Sequence, residues 1–139
     1  MPADVRGRME VMQWLFWQMA GLGPMAGQNH HFVQYATERY VNETNRLYGV
    51  LDRRLADREF VAGEYSIADM ACYPWIVPHK RQLQNLADLP HLQRWFAAIA
   101  ARPAVKRAYA LAQNITTETA MSEGAKKILF GQTAATRGK

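Results

Sequence analysis

The first regular pattern along the chain is an apolar stripe. Val5, Met9, Met12, Phe16 and Met19 recur at alternating intervals of four and three residues, with Leu15 and Leu22 beside them. That is the spacing of one face of an α-helix, and it predicts a helix over about 4–22 with this stripe turned inward. Trp14 and Trp17 lie off the stripe, as on a helix that touches its own core and also a partner or ligand. Gly21, Gly23 and Pro24 are expected to end the helix, since Gly favours the left-handed cap and Pro cannot continue the hydrogen-bond ladder. The segment from Gly23 to Val33, rich in Gly, Asn and His, then reads as a loop.

A second helix is predicted over about 36–56. Tyr40, Thr44, Leu47, Tyr48, Leu51 and Leu55 fall on one face, and Glu43, Arg46, Asp52 and Arg53 on the other. Two long helices joined by a modest loop pack most economically as an antiparallel pair. The segment Ser66-Ile67-Ala68-Asp69 carries the chain's most specific local signal. A Ser at the cap and an acid three residues on can satisfy each other's backbone amides, and the acid sits at the positive end of the helix dipole. Tyr65 before the cap and Met70 after Asp69 stand where a hydrophobic staple would be. Ser66 and Asp69 are therefore a structural cap box rather than catalytic groups.

The third helix, from Ile67 to about Gln84, contains Pro74 and Pro78 and is expected to bend or break near 73–77. A fourth starts at Leu89-Pro90 and uses Leu92, Trp95, Phe96 and Ile99. Arg102-Pro103 ends it and begins a fifth, with Val105, Ala108, Tyr109 and Ala112. Beyond Gln113 the pattern fades. Residues 120–130 read as one or two further helical turns and 131–139 as a loose tail. No segment alternates with period two for long enough to be a strand, so the fold class is all-α. Residues 1–113 form one helical domain and 114–139 a C-terminal extension.

Composition narrows the possibilities. With 139 residues, 49% of them hydrophobic and 21% charged, the chain suits a single globular core. Its net charge of +5 includes the basic pairs Arg53-Arg54, Lys80-Arg81, Lys106-Arg107 and Lys126-Lys127. These fall on separate predicted helices among acids such as Asp52, Asp57 and Glu59, and not on the single stripe with exposed aromatics of a nucleic-acid binder. They read as solvated faces, and no nucleic-acid partner is expected. The one cysteine, Cys72, lies in an apolar stretch and reads as a small buried hydrophobe in a reducing compartment. The start of the chain has no secretory pattern. The richest apolar run, 14–27, is too interrupted to span a bilayer. The expectation is a cytoplasmic protein with no membrane association. His30-His31 lacks ligand partners at metal-site spacing, so no metal is expected. No Ser-His-Asp order, paired-carboxylate site or phosphate-cradling glycine loop stands out.

Taken together, these residues resemble a known family. Phe60-Val61-Ala62-Gly63 followed by Tyr65-Ser66-Ile67-Ala68-Asp69-Met70 is similar to the capping box and staple of the glutathione transferase C-terminal domain. Trp95-Phe96 and Ala101-Arg102-Pro103-Ala104-Val105 are similar to its later helices. The stretch from Gln13 to Gln18, with Gly23-Pro24-Met25 and Gln28-Asn29-His30-His31-Phe32, resembles the bacterial, Ure2-like branch of disulfide-bond oxidoreductase transferases. The likeness extends to about Gln113. It implies a helical bundle of five to six helices from which the thioredoxin-like, glutathione-binding half is absent.

For function, the resemblance implies the C-terminal half of an enzyme of glutathione-dependent disulfide reduction or conjugation, inactive alone. Glutathione would be the co-substrate of the complete enzyme, with an electrophile or a disulfide as second substrate and no covalently bound cofactor. The helical half would supply the second-substrate wall and the interface of a homodimer. Arg39, within Glu38-Arg39-Tyr40, is the glutathione-binding candidate, since a guanidinium pairs well with a carboxylate. The competing reading of Arg39 is a solvent-facing side chain paired with Glu38 or Glu43. Trp14, Trp17, Met25, Gln28, Asn29 and His30 are the second-substrate pocket candidates. Core packing accounts for Trp14, Trp17 and Met25 as well. No catalytic residue is assigned. The alternative is a stand-alone helical interaction or assembly module, with the Met- and Trp-rich first helix as its docking face.

Overall fold

A computed structural model describes residues 1–32 and 37–113, together with 124 and 128, and excludes the side chains at 30–32, 37 and 113. The chain divides into two compact units, Met1–Val105 and Lys106–Lys139. The remainder of the predicted extension lies outside the described residues. In order, the helices are α1 (Val5–Trp17), a π-helical turn (Gln18–Leu22), α2 (Gly23–Phe32), α3 (Thr37–Arg54), α4 (Ile67–Ile76), a 3-10 turn (Leu86–Asp88), α5 (Pro90–Ala101) and α6 (Pro103–Gln113). Among the described residues the only β pairing is two isolated bridges, Phe60–Gly63 and Ala62–Glu64.

The core of the first unit is built round α4. Ala68, Asp69, Cys72, Tyr73 and Ile76 of this helix are buried. They pack among Leu47, Tyr48 and Leu51 of α3, Leu55 just after it, Leu92, Trp95 and Ile99 of α5, Val11 of α1 and Leu22 of the π-helical turn. Helix α3 follows its predicted pattern, with Thr44, Leu47, Tyr48, Leu51 and Leu55 all buried. The third predicted helix stops at Ile76, two residues before Pro78, and the chain turns instead of continuing to Gln84.

Three expectations change. The stripe of the first helix faces outward: Val5, Met9, Phe16 and Met19 are each more than half exposed, while Val11, Gln18 and Leu22 are buried. The most regular apolar spacing lies on the wrong side because half-buried Trp14 and Trp17 pack against the core and supply large inward area in place of the methionines.

Second, Gly21, Gly23 and Pro24 do not end the helix. The Gly23 amide donates to the Gln18 carbonyl, five residues back. This wide turn absorbs the break, and Pro24 falls in the first turn of α2, where a missing N–H costs little. The predicted loop is therefore mostly helix. Gly23 is needed for close approach, since a Cβ there would lie 3.0 Å from Gln18 Nε2 and 3.2 Å from Trp75 Cε2.

Third, Asp52 is not a solvent-face residue. Its Oδ1 accepts from the amides of His91 and Leu92, both at 2.9 Å. It thus caps α5, whose own N-cap Leu89 offers no side-chain bond.

The connection between α3 and α4 is pinned at its start and its middle. Arg54 Nε donates to the Val61 carbonyl at 2.8 Å, and Arg94 donates to the carbonyls of Leu55 and Arg58, each at 2.8 Å. Gly63 turns this segment with φ +89, and a Cβ there would meet nothing within 4 Å. Gly63→Ala is expected to cost about 1–2 kcal/mol, all of it left-handed backbone strain and none of it clash. Urea denaturation checks this, and an unchanged midpoint would contradict it.

Candidate functional site

The cap of α4 positions everything around it. Ser66 Oγ accepts from the Ala68 amide at 3.2 Å, and Asp69 Oδ2 accepts from the Ser66 amide at 2.9 Å, which closes the capping box. The fully buried Asp69 carboxyl does more, because Oδ1 also accepts from the Val61 amide at 3.0 Å and from Trp95 Nε1 at 2.9 Å. One carboxyl thereby ties α4 to the preceding turn and to α5. The staple is not the expected pair. Tyr65 packs edge-on against Phe60 and beneath the Arg102 guanidinium, 3.6 Å from the ring centre, while Met70 is exposed.

Arg39 lies in the first turn of α3, the positive end of an 18-residue helix, which favours bound anions. It opens onto a recess of about 460 Å³ shared with Met25, Tyr40, Asn42, Glu43 and Arg46. Glu43 is engaged by Arg46 through a two-pronged pair, Nε to Oε2 at 2.8 Å and a terminal nitrogen to Oε1 at 2.7 Å. That hydrogen bond holds the Glu43 carboxyl below its usual range. Among the described residues exposed Arg39 makes no hydrogen bond or ion pair, so it is not the partner of Glu38 or Glu43. The recess gathers two guanidiniums and one carboxylate, so one cation is left without an acidic partner. Arg46 is not among the sequence candidates, although the spacing Arg39, Glu43, Arg46 places the three on one helical face.

The other pocket candidates do not join Arg39 and Met25. Trp14 and Trp17, ring centres 5.2 Å apart, line a separate recess of about 560 Å³ with Arg6, Met9, Glu10 and Arg54. Gln28 is exposed and borders an open patch with Trp75, Pro24 and Gln18. Asn29 has no surface with which to line a pocket. It is fully buried, and its Nδ2 donates to Thr44 Oγ1 at 3.3 Å and to the Gln82 carbonyl at 2.9 Å. The His30 side chain lies outside the described residues.

The Asn29 contacts belong to a polar network that fastens the turn after α4. Tyr48 donates to Gln82 Oε1, Gln82 donates to the Trp75 carbonyl, and Gln84 donates to the Val41 carbonyl. Burial pushes both the Tyr48 phenol and the Cys72 thiol up, so neither ionises readily, and Cys72 is inert packing. Among the described residues no three His, Cys, Asp or Glu groups cluster to hold a metal, and no helix is long and apolar enough to cross a membrane.

An all-helical domain organised round this buried cap matches a known class. Residues 18–103 match the family described as Glutathione S-transferase, C-terminal domain, and the chain belongs to that family. Among its relatives is the disulfide-bond oxidoreductase YfcG of Escherichia coli, 48% identical over 118 residues, which cover 79% of this chain and 55% of that protein. A second, YghU of the same organism, is 39% identical over 122 residues, covering 77% and 42%. Among solved structures, a glutathione transferase from Burkholderia graminis with two glutathione molecules bound per subunit aligns with TM-score 0.69 at 41% identity, over 76% of this chain and 50% of that one. Ure2p in complex with glutathione aligns with TM-score 0.72 at 31% identity, over 77% and 57%. The chain thus spans about half the length of the relatives it matches.

Proposed function

We propose that this domain acts as the C-terminal half of a glutathione-dependent enzyme, a disulfide reductase or a conjugating transferase. The observation that carries the reading is Arg39, an unpaired guanidinium facing a recess with Met25 and Arg46. It suits a carboxylate of the tripeptide, and solved relatives hold glutathione. Met25 would then begin the second-substrate wall. Chemistry on sulfur needs an activating group, and the single thiol here is buried. That group would come from a glutathione-binding half.

Calorimetric titration of the purified chain with glutathione tests this. The chain alone is expected to bind weakly at most and to show no turnover of a model disulfide. Once the complementary half of a relative is supplied, Arg39→Ala is expected to weaken glutathione binding about tenfold, the effect of one lost charge-assisted contact. Turnover by the isolated chain, or wild-type affinity in Arg39→Ala, would defeat the reading.

A second reading, a helical assembly module, draws on the outward face of α1. Val5, Met9, Phe16 and Met19 form an exposed apolar stripe, the kind of patch that marks an interface. It would seat a second copy or the glutathione-binding half. Restored turnover, once the complementary half is supplied, favours the enzyme reading; for assembly, light scattering should show a dimer that Met9→Glu breaks, and a monomer of the wild-type chain counts against it.

A further inference from the structure

Helix α3 carries an outward face that the recess at its head does not use up. Arg39, Arg46 and Arg53 recur every seven residues. A heptad drifts by about 20° on an α-helix, so the three stand nearly in line. At 1.5 Å per residue they are about 10 Å apart and about 21 Å from end to end. All three are exposed. We propose that this line binds a linear polyphosphate, a chain of phosphates that carries no bases.

The charge on the face is unbalanced. Among the described residues Arg39 and Arg53 make no hydrogen bond or ion pair. Arg46 keeps 60% of its side chain exposed even while it holds Glu43. The acids near the other end of the helix are directed elsewhere. Asp52 accepts from the amides of His91 and Leu92, and Asp57 is held by Arg58. Glu38 precedes Arg39 by one residue and so stands about 100° round the helix. The Arg53 guanidinium lies back over Gly49, where a Cβ would be 3.4 Å from Nη1. It therefore reaches along the line toward Arg46, and Gly49 puts no side chain between them.

The occupant follows from what stands between the arginines. Asn42, Gly49 and half-buried Val50 fill the line. None is an aromatic ring on which the bases of a single strand could stack. An acidic helix would bring an apolar flank, and the line offers it Val50 alone. A guanidinium meets a phosphate through two parallel N–H···O bonds. Separate small anions engage one arginine at a time, because the spacing of about 10 Å equals the screening length at about 0.1 M salt. A continuous chain of phosphates engages all three at once and gains from the linkage.

The assignment does not rest on the glutathione reading, since Arg53 lies about 21 Å from Arg39 and outside its recess. Calorimetric titration of the full chain tests it, with a polyphosphate long enough to span the line and inorganic triphosphate as the short control. Saturable binding of the long chain is expected at about 0.1 M salt, falling steeply as salt rises. Triphosphate should bind at least about tenfold more weakly. Arg53→Gln should weaken the long chain about tenfold, as for one lost charge-assisted contact, and Arg53→Lys should keep part of that affinity. Lys106→Gln removes the same charge from exposed α6 and should leave binding unchanged. The proposal is overturned by absence of saturable binding, or by triphosphate bound as tightly as the long chain. Equal losses in Arg53→Gln and Lys106→Gln overturn it too, as does tighter binding of polyglutamate or a single-stranded oligonucleotide of equal charge.

Discussion

Asp69→Ala is expected to unfold most of the molecule. The wild-type carboxyl accepts from the Ser66 amide, the Val61 amide and the Trp95 indole, and all of this lies in the interior. Removing it strands three buried donors at about 1–3 kcal/mol each. Their sum rivals the ~5–15 kcal/mol that holds an ordinary domain together. Asp69→Asn should do little better, because one of its two faces would present an N–H₂ group to an N–H. Circular dichroism across a urea gradient would read the effect. A midpoint within experimental error of wild type would show that Asp69 is only a local cap.

Trp95 gives the second large effect and separates shape from bonding. It is fully buried, packs edge-on against Tyr73 with ring centres 6.1 Å apart, and donates to Asp69 Oδ1. Trp95→Ala empties a large volume in the centre of the core and is expected to cost about 3–5 kcal/mol. Trp95→Phe keeps a ring and removes the donor, so it should cost about 1–3 kcal/mol. The same denaturation experiment compares the two. A Phe variant as stable as wild type would mean that the indole bond contributes nothing and that Asp69 works through backbone amides alone.

Local signals were legible in the chain, and signals that depend on distant partners were not. Helix α3 was readable because Thr44, Leu47, Tyr48, Leu51 and Leu55 repeat at helical intervals and all of them are buried. The Ser66–Asp69 box was readable because its two partners lie three residues apart. The reach of Asp69 to Trp95, and of Asp52 to the head of α5, spans 26 and 40 residues and leaves no trace in local spacing. The stripe on α1 is ambiguous because helical spacing shows that a helix has an apolar face and not which side of the molecule that face is turned to. Among the site candidates, Met25 and Arg39 share a recess. Asn29 is a pocket candidate only if its segment is a loop. Once that segment is helical, its position is set by the face that α2 turns toward Thr44 and Gln82.

The wide turn at Gln18–Leu22 also changes the phase of the rod. A π turn holds about one residue more than an α turn, and each residue advances the helix by about 100°. Everything after Leu22 is therefore rotated relative to α1 without the axis being broken. A straight helix must keep one orientation from end to end. This one shows its apolar side to the outside upstream, and downstream turns Ala26 and Asn29 inward, with Gly23 closing on Trp75. Removing a single residue from this turn would leave a helix of nearly the same length with its two halves addressing the wrong neighbours.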